Sequence, residues 1–155
     1  MDDPFEHATL GAGVFYRDPM AALAWLERAF GFQRSVLVTD GSGRLVHSEM
    51  RFADAYLVID SEWSDDIASP ASVGGKNTQI VYLKLQQGLD EHCERAREAG
   101  ARIVQEPEDQ FYGDRTYRAR DPEGHIWTFS QPVRRVSREA AEAASGCDIE
   151  GWHQR

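Results

Sequence analysis

Apolar and polar positions along this chain repeat with two different periods, and the changes of period mark its elements. In "RDPMAALAWLERAFGF", Leu23, Leu26 and Phe30 fall at i, i+3 and i+7 with Ala22 and Ala29 beside them, the stripe of an amphipathic helix. Asp18 suits its N-cap, Pro19 its first turn and Gly31 its end. "GLDEHCERAREAGARIV" repeats the plan: Asp90 stands near the start, Leu89, Cys93 and Ala96 form the stripe, and Gly100 closes it. Period-two strand patterns surround both helices. "LGAGVFYR" (10–17) precedes the first, and "QRSVLVT", "LVHSEMRF" and "AYLVID" follow it. "TQIVYLKL" (78–85) precedes the second, and "ARIVQ", "RTYRAR" and "HIWTFSQ" follow it.

Each half therefore reads β-α-β-β-β. The halves share Glu-Arg-Ala in "LERAFGFQRSVL" and "CERAREAGARIV" at a spacing of 67 residues, a little under half the chain. The matching order of elements strengthens that short identity. The predicted fold is α+β: tandem βαβββ modules, about residues 8–63 and 77–132, in a single domain over 8–132, their mixed sheet curled around a cleft. "SPASVGGKN" (69–77) is the linker. In the tail, 133–155, "VSREAAEAASG" predicts one short helix with Ser137 as cap and Gly146 as stop, and Trp152 is expected to pack on the body or on a partner chain.

Composition narrows the function classes. A net charge of −9 and a pI near 5.0 argue against nucleic acid and are compatible with a cationic small ligand. The acidic runs "DSEWSDD" and "EPED" read as solvated loops. No apolar run reaches the roughly 20 residues of a membrane span, and the start lacks a signal-peptide layout, so a cytoplasmic location is expected. Cys93 and Cys147 lack metal-type spacing and read as free thiols.

With "RDPMAALAWLERAFGF" early and "DRTYRARDPEGHIWTFSQ" late, the chain resembles the vicinal oxygen chelate superfamily, which includes glyoxalases, bleomycin-resistance proteins and extradiol dioxygenases. The resemblance covers about residues 8–132. It implies paired modules around a cleft that two chains of a dimer often share. Enzymes of that family hold a divalent metal with four side chains, one on the first and one on the last strand of each module. The resemblance places those positions at Gly11, at Val58 or Asp60 depending on register, at Gln79 and at Thr128. That set does not suit a divalent ion, so neither metal nor cofactor is expected.

In "RDPEGHIWTF", Asp121, Pro122 and Gly124 occupy positions i, i+1 and i+3 of a tight turn delivering the last strand. His47 and Glu49 alternate on one strand and share a face: an acid/base pair if that face is the cleft, an outer polar stripe if not. The loop "EDQFYGDRTY" carries Phe111, Tyr112, Arg115 and Tyr117, which border the cleft in resembling proteins and otherwise cover a sheet edge. Alternation from Gln79 and Thr128 predicts Val81, Leu83, Ile126 and Ser130 in the cleft, with Ile80, Tyr82, Trp127 and Phe129 beneath the helices. The expected ligand contacts are thus Asp60, Gln79, Tyr112, Arg115, Tyr117 and Thr128. The expected function is metal-free binding of a small molecule by a homodimer, sequestering a toxic aromatic or cationic compound. A lyase, isomerase or dioxygenase with a divergent metal site is the alternative, and a scaffold for interactions a third reading.

Overall fold

A computed structural model of the chain describes residues 8–152. Strand β1 (Gly11–Tyr16) leads into helix α1 (Pro19–Phe30), then β2 (Gln33–Thr39), β3 (Leu45–Phe52) and β4 (Ala55–Ser61). After the linker come β5 (Val81–Lys84), α2 (Leu89–Glu98), β6 (Arg102–Asp109), β7 (Asp114–Arg120) and β8 (Ile126–Pro132), and α3 (Arg138–Ser145) lies in the tail. The strands form two mixed four-stranded sheets of identical order, β1-β4-β3-β2 and β5-β8-β7-β6. The first strand of each module pairs in parallel with the last, and the other pairs are antiparallel. No helix among the described residues is long and apolar enough to cross a membrane.

The helices form where the stripes predict them. The Asp18 carboxylate accepts from Ala21 N at 3.0 Å, and Gly31 closes α1 at φ +74. Two strands differ from expectation. β5 begins at Val81 rather than Thr78, because Asn77 reaches ahead to donate to Gly124 O (2.9 Å) and to accept from Ile126 N (3.0 Å). That side chain occupies the edge of β8 until the backbone pairs at Val81. β6 runs on through "EPED", predicted as loop. It is an edge strand with register shifts around Gln105, and there a proline costs no ladder bond.

One core serves both modules. α1 and α2 touch, with Trp25 Nε1 donating to Ala99 O (2.8 Å) and the Arg95 guanidinium donating to the carbonyls of Glu27 and Arg28 at the end of α1. Phe30 and Phe32 of the first module meet Trp127 of the second at ring-centroid distances of 5.6 and 5.5 Å, and Phe52 meets Phe129 at 6.3 Å. These rings stand on the helix-bearing faces of the two sheets. The opposite faces point away from the shared core.

The "RDPEGH" turn fastens the modules together. Asp121 is buried, and its Oδ2 accepts from Tyr16 OH (2.6 Å) and from Trp127 Nε1 (3.0 Å). Its Oδ1 accepts from the backbone N–H groups of Glu123 (3.1 Å) and His125 (3.0 Å). Glu123 accepts from Arg17 N and Asp18 N at the mouth of α1, and His125 Nε2 donates to Phe15 O. Burial, reinforced by the Asp121 charge, pushes Tyr16 well above the usual phenol range, so it stays a donor.

His92 forms a second tie. A carbonyl only accepts, so His92 Nε2 carries the proton donated to Phe30 O (2.9 Å), and Nδ1 accepts from Tyr117 OH (2.6 Å). Burial lowers the His92 pKa and favours this neutral form.

Two outcomes are expected in urea unfolding. Asp121→Ala strands four donors and should cost about 3 kcal/mol, against about 1 kcal/mol for Tyr16→Phe; equal, small losses would show that the turn does not join the modules. A His pKa depressed on folding gives stability that is full above the unfolded value of about 6.5 and is lost as pH falls towards the folded value. The unfolding midpoint should therefore drop between about pH 7.5 and 5.5, and drop less in His92→Gln.

Candidate functional site

The outward face of the first sheet gathers a compact polar group. Ala53 and Asp54 make a tight turn between β3 and β4, with Ala53 at φ +50, and Phe52 pairs with Ala55. That register sets Glu49 opposite Val58, and two residues further along each strand His47 and Asp60 bring their side chains together. His47 Nε2 lies 2.8 Å from Glu49 Oε1, and His47 Nδ1 lies 3.8 Å from Asp60 Oδ2. Glu49 and Asp60 are 8% and 7% exposed, so this is no freely solvated outer stripe. Phe15 of β1 pairs with Asp60, and Tyr56 of β4 pairs with Gly11, adding two rings to the face. Val36 and Val38 continue it onto β2, which is exposed along its whole length.

The corresponding face of the second sheet is basic. Thr128, 4% exposed, stands opposite Arg118 on β7 and Tyr82 on β5, while Ser130 stands opposite Lys84. Arg118 Nε donates to Thr128 Oγ1 at 3.1 Å. Arg120 lies two residues further along, its Nη1 donating to Gly75 O and Gly124 O.

Several expected site residues lie elsewhere. Gln79 precedes β5 and donates to Gly13 O (3.3 Å), so alternation counted from it inverts the strand. Leu83 is in the core at 7% exposure and Val81 packs beside it, while Tyr82 is 67% exposed and shares the face of Thr128. Ile126 and Ser130 do share that face, and Trp127 and Phe129 are core. Tyr117 is buried beneath α2, because its neighbour Arg118 takes the outward direction. Arg115 points to the helix side and binds Asp90 (2.8 Å) and Asp109 (2.9 Å). Tyr112 and Phe111 sit at a loop tip beside the tail, edge to face at 5.2 Å. With the tail they line a groove of about 1250 Å³ next to Trp152, whose indole N–H donates to Val136 O. His7 and His153 lie outside the described residues. Burial pushes the Cys93 thiol up to about 11, far from a reactive thiolate.

Phe15, Tyr56, Tyr82, Lys84 and Arg118 were not anticipated. Alternation from Val58 reaches Tyr56 directly, and Arg118 needs the β7–β8 register, which the sequence does not state.

The metal positions implied by the family do not fit a divalent ion. Gly11 offers no donor, and a Cβ placed there would fall on the Tyr56 ring. Thr128 already accepts from a guanidinium, and Gln79 uses its amide N–H on β1. Both ring nitrogens of His47 face carboxylates, so Glu49 and Asp60 bracket the imidazole and the three side chains do not converge on a shared point. Among the described residues, no group of three or more His, Cys, Asp or Glu side chains is placed to hold a metal. Gly11→Ala should cost about 1–2 kcal/mol through overlap with the ring, and adding Tyr56→Ala should recover that cost. A thermal double-mutant cycle with purely additive losses would show that the ring and Gly11 do not compete for one space.

Known proteins share this architecture. TioX from Micromonospora sp. ML1 superposes with a TM-score of 0.67 at 30% identity, covering 81% of this chain and 99% of its own. A superfamily member from Sphaerobacter thermophilus gives 0.64 at 21% identity, over 80% and 96% of the two chains. An uncharacterized protein of Mycobacterium bovis is 30% identical over 142 residues, which is 86% of this chain and 90% of that protein. The sequence model of the Glyoxalase/Bleomycin resistance protein/Dioxygenase superfamily matches residues 5–129, and the chain belongs to that superfamily.

Proposed function

We infer that the protein is a metal-independent binding protein for a small aromatic molecule bearing a cationic group, working as a homodimer. The observation that carries this reading is the difference in charge between the two outward faces, the first holding two carboxylates against the one guanidinium of Arg51, which stands opposite Tyr56, and the second holding mainly cations. Glu49 and Asp60 flank His47 on one, while Arg118 and Lys84 stand on the other, and both lie on sheets whose helix faces are already used in the core. Half-open walls of opposite sign suit a cleft in which the first sheet of one copy faces the second sheet of another. Phe15 and Tyr56 offer ring surface beside two poorly solvated carboxylates, the chemistry that holds a planar cation. The net charge of −9 favours approach of such a ligand. Retaining a compound in this way is the chemistry of sequestration.

One observation favours an enzyme instead, a lyase, isomerase or dioxygenase of the same superfamily with a divergent site. An imidazole held between two carboxylates on an open face is equipped for proton transfer.

Protein purified without chelator is expected to carry far less than one equivalent of Ni, Zn, Fe or Mn, and to sediment as a dimer. Proflavine, a planar aromatic cation, should bind with its affinity reduced about tenfold by Glu49→Gln together with Asp60→Asn. Near-stoichiometric metal, a monomer at high micromolar concentration, or proflavine binding indifferent to the two substitutions would each count against this function.

A further inference from the structure

We propose that Arg118 anchors a metal-independent oxyanion site on the outward face of the second sheet, taking a carboxylate or similarly charged oxygen group of a small aromatic ligand. The inference deepens the binding function above and rests on the outward faces being ligand walls. Its basis is the state of one guanidinium. Arg118 Nε is pegged to Thr128 Oγ1 at 3.1 Å, and Thr128 is itself 4% exposed, so the peg is built into the sheet. Neither terminal nitrogen of Arg118 makes a hydrogen bond or ion pair among the described residues. An arginine held by Nε presents its two terminal nitrogens as a planar fork, the shape that receives both oxygens of a carboxylate.

The surroundings agree with that use. Lys84 adds a second positive charge on β5, and Tyr82, 67% exposed beside Thr128, offers a ring for the apolar body of a ligand. Arg120 is not equivalent, because its Nη1 is spent on Gly75 O and Gly124 O. Glu108 stands opposite Thr116, one outward position along β7 from Arg118, with Gln110 Nε2 donating to its carboxylate, and Asp114 lies beyond Thr116. Where the family's ligand set would bring a bound cation to the cleft, Thr128 here carries a cation that belongs to the chain. Such a charge is insensitive to chelators and needs no loading. Set against the acidic wall of the first sheet, it selects a ligand with both signs of charge, an amphoteric aromatic compound.

The test follows arginine Nε signals by NMR in the full-length 15N-labelled protein during titration with benzoate, benzamide and benzylammonium. Benzoate is expected to shift one Nε signal saturably, assigned to Arg118 by its absence in Arg118→Lys. Its affinity should fall about tenfold in Arg118→Met and about threefold in Thr128→Val, with neutral benzamide failing to bind. Should Arg118→Met lose its cooperative melting, Arg118→Lys and Thr128→Val decide. Unchanged benzoate affinity in these variants, or benzamide binding as tightly, overturns the proposal. So does benzoate binding seen only after Glu49→Gln and Asp60→Asn, because Arg118 would then serve the carboxylates of a second copy. Loss of the benzylammonium response with the benzoate response intact would instead indict the cationic reading of the first sheet and leave the oxyanion site standing.

Discussion

The arrangement of this molecule depends on one buried carboxylate that receives four donors. Asp121 takes the hydroxyl of Tyr16 from the first module, the indole of Trp127 from the second, and two backbone N–H groups of its own turn. A carboxylate with all its acceptor directions used is stable inside a protein, and stranding any partner leaves a polar group in an apolar core. The same turn receives the entry to α1 on Glu123 and reaches Phe15 O with His125. Because these contacts hold helix face to helix face, they also decide which faces stay open. The two open, polar outward faces are thus a by-product of how the halves are locked.

Those faces divide their charge unevenly, and the division comes from register rather than from composition. Glu49, His47 and Asp60 meet because a tight β3–β4 turn allows one pairing. Arg118 meets Thr128 because β7 and β8 pair from Asp114 to Ile126 without a shift. Shifting either hairpin by one residue would send these groups into the core and Leu57, Tyr117 or Phe129 to the surface, which the core would not tolerate.

Much of the fold was legible in the sequence, since amphipathic stripes, caps and the repeated order of elements are local signals. The short helix after Ser137 was legible for the same reason. His47 and Glu49 could be put on one shared face, and the resemblance could bring Thr128 and Val58 or Asp60 to the cleft, because each lies within a well-formed strand. Gln79 misled because strand periodicity was counted from a residue outside the strand, and the cause is a long-range bond from Asn77 to β8 that no local pattern carries. Tyr117 and Arg115 lay within the strand "RTYRAR" and were also read as bordering the cleft, yet in β7 they take the helix side and alternate with the outward Arg118 and Thr116. The motif "RDPEGH" was readable as a turn but not as a clasp, because its partner Tyr16 lies 105 residues away.

The clasp and the candidate site share almost no side chains, and that separation bears on how such a protein can change over generations. Asp121, Glu123, Tyr16 and Trp127 secure the halves, whereas positions 47, 49, 60, 82, 118 and 128 project the other way on alternate strand residues. Period-two geometry lets a lineage rewrite the outward letters while copying the inward ones unchanged. A family built on this plan can exchange a metal-binding wall for a charged one through a handful of point substitutions, each tried on a scaffold that still folds.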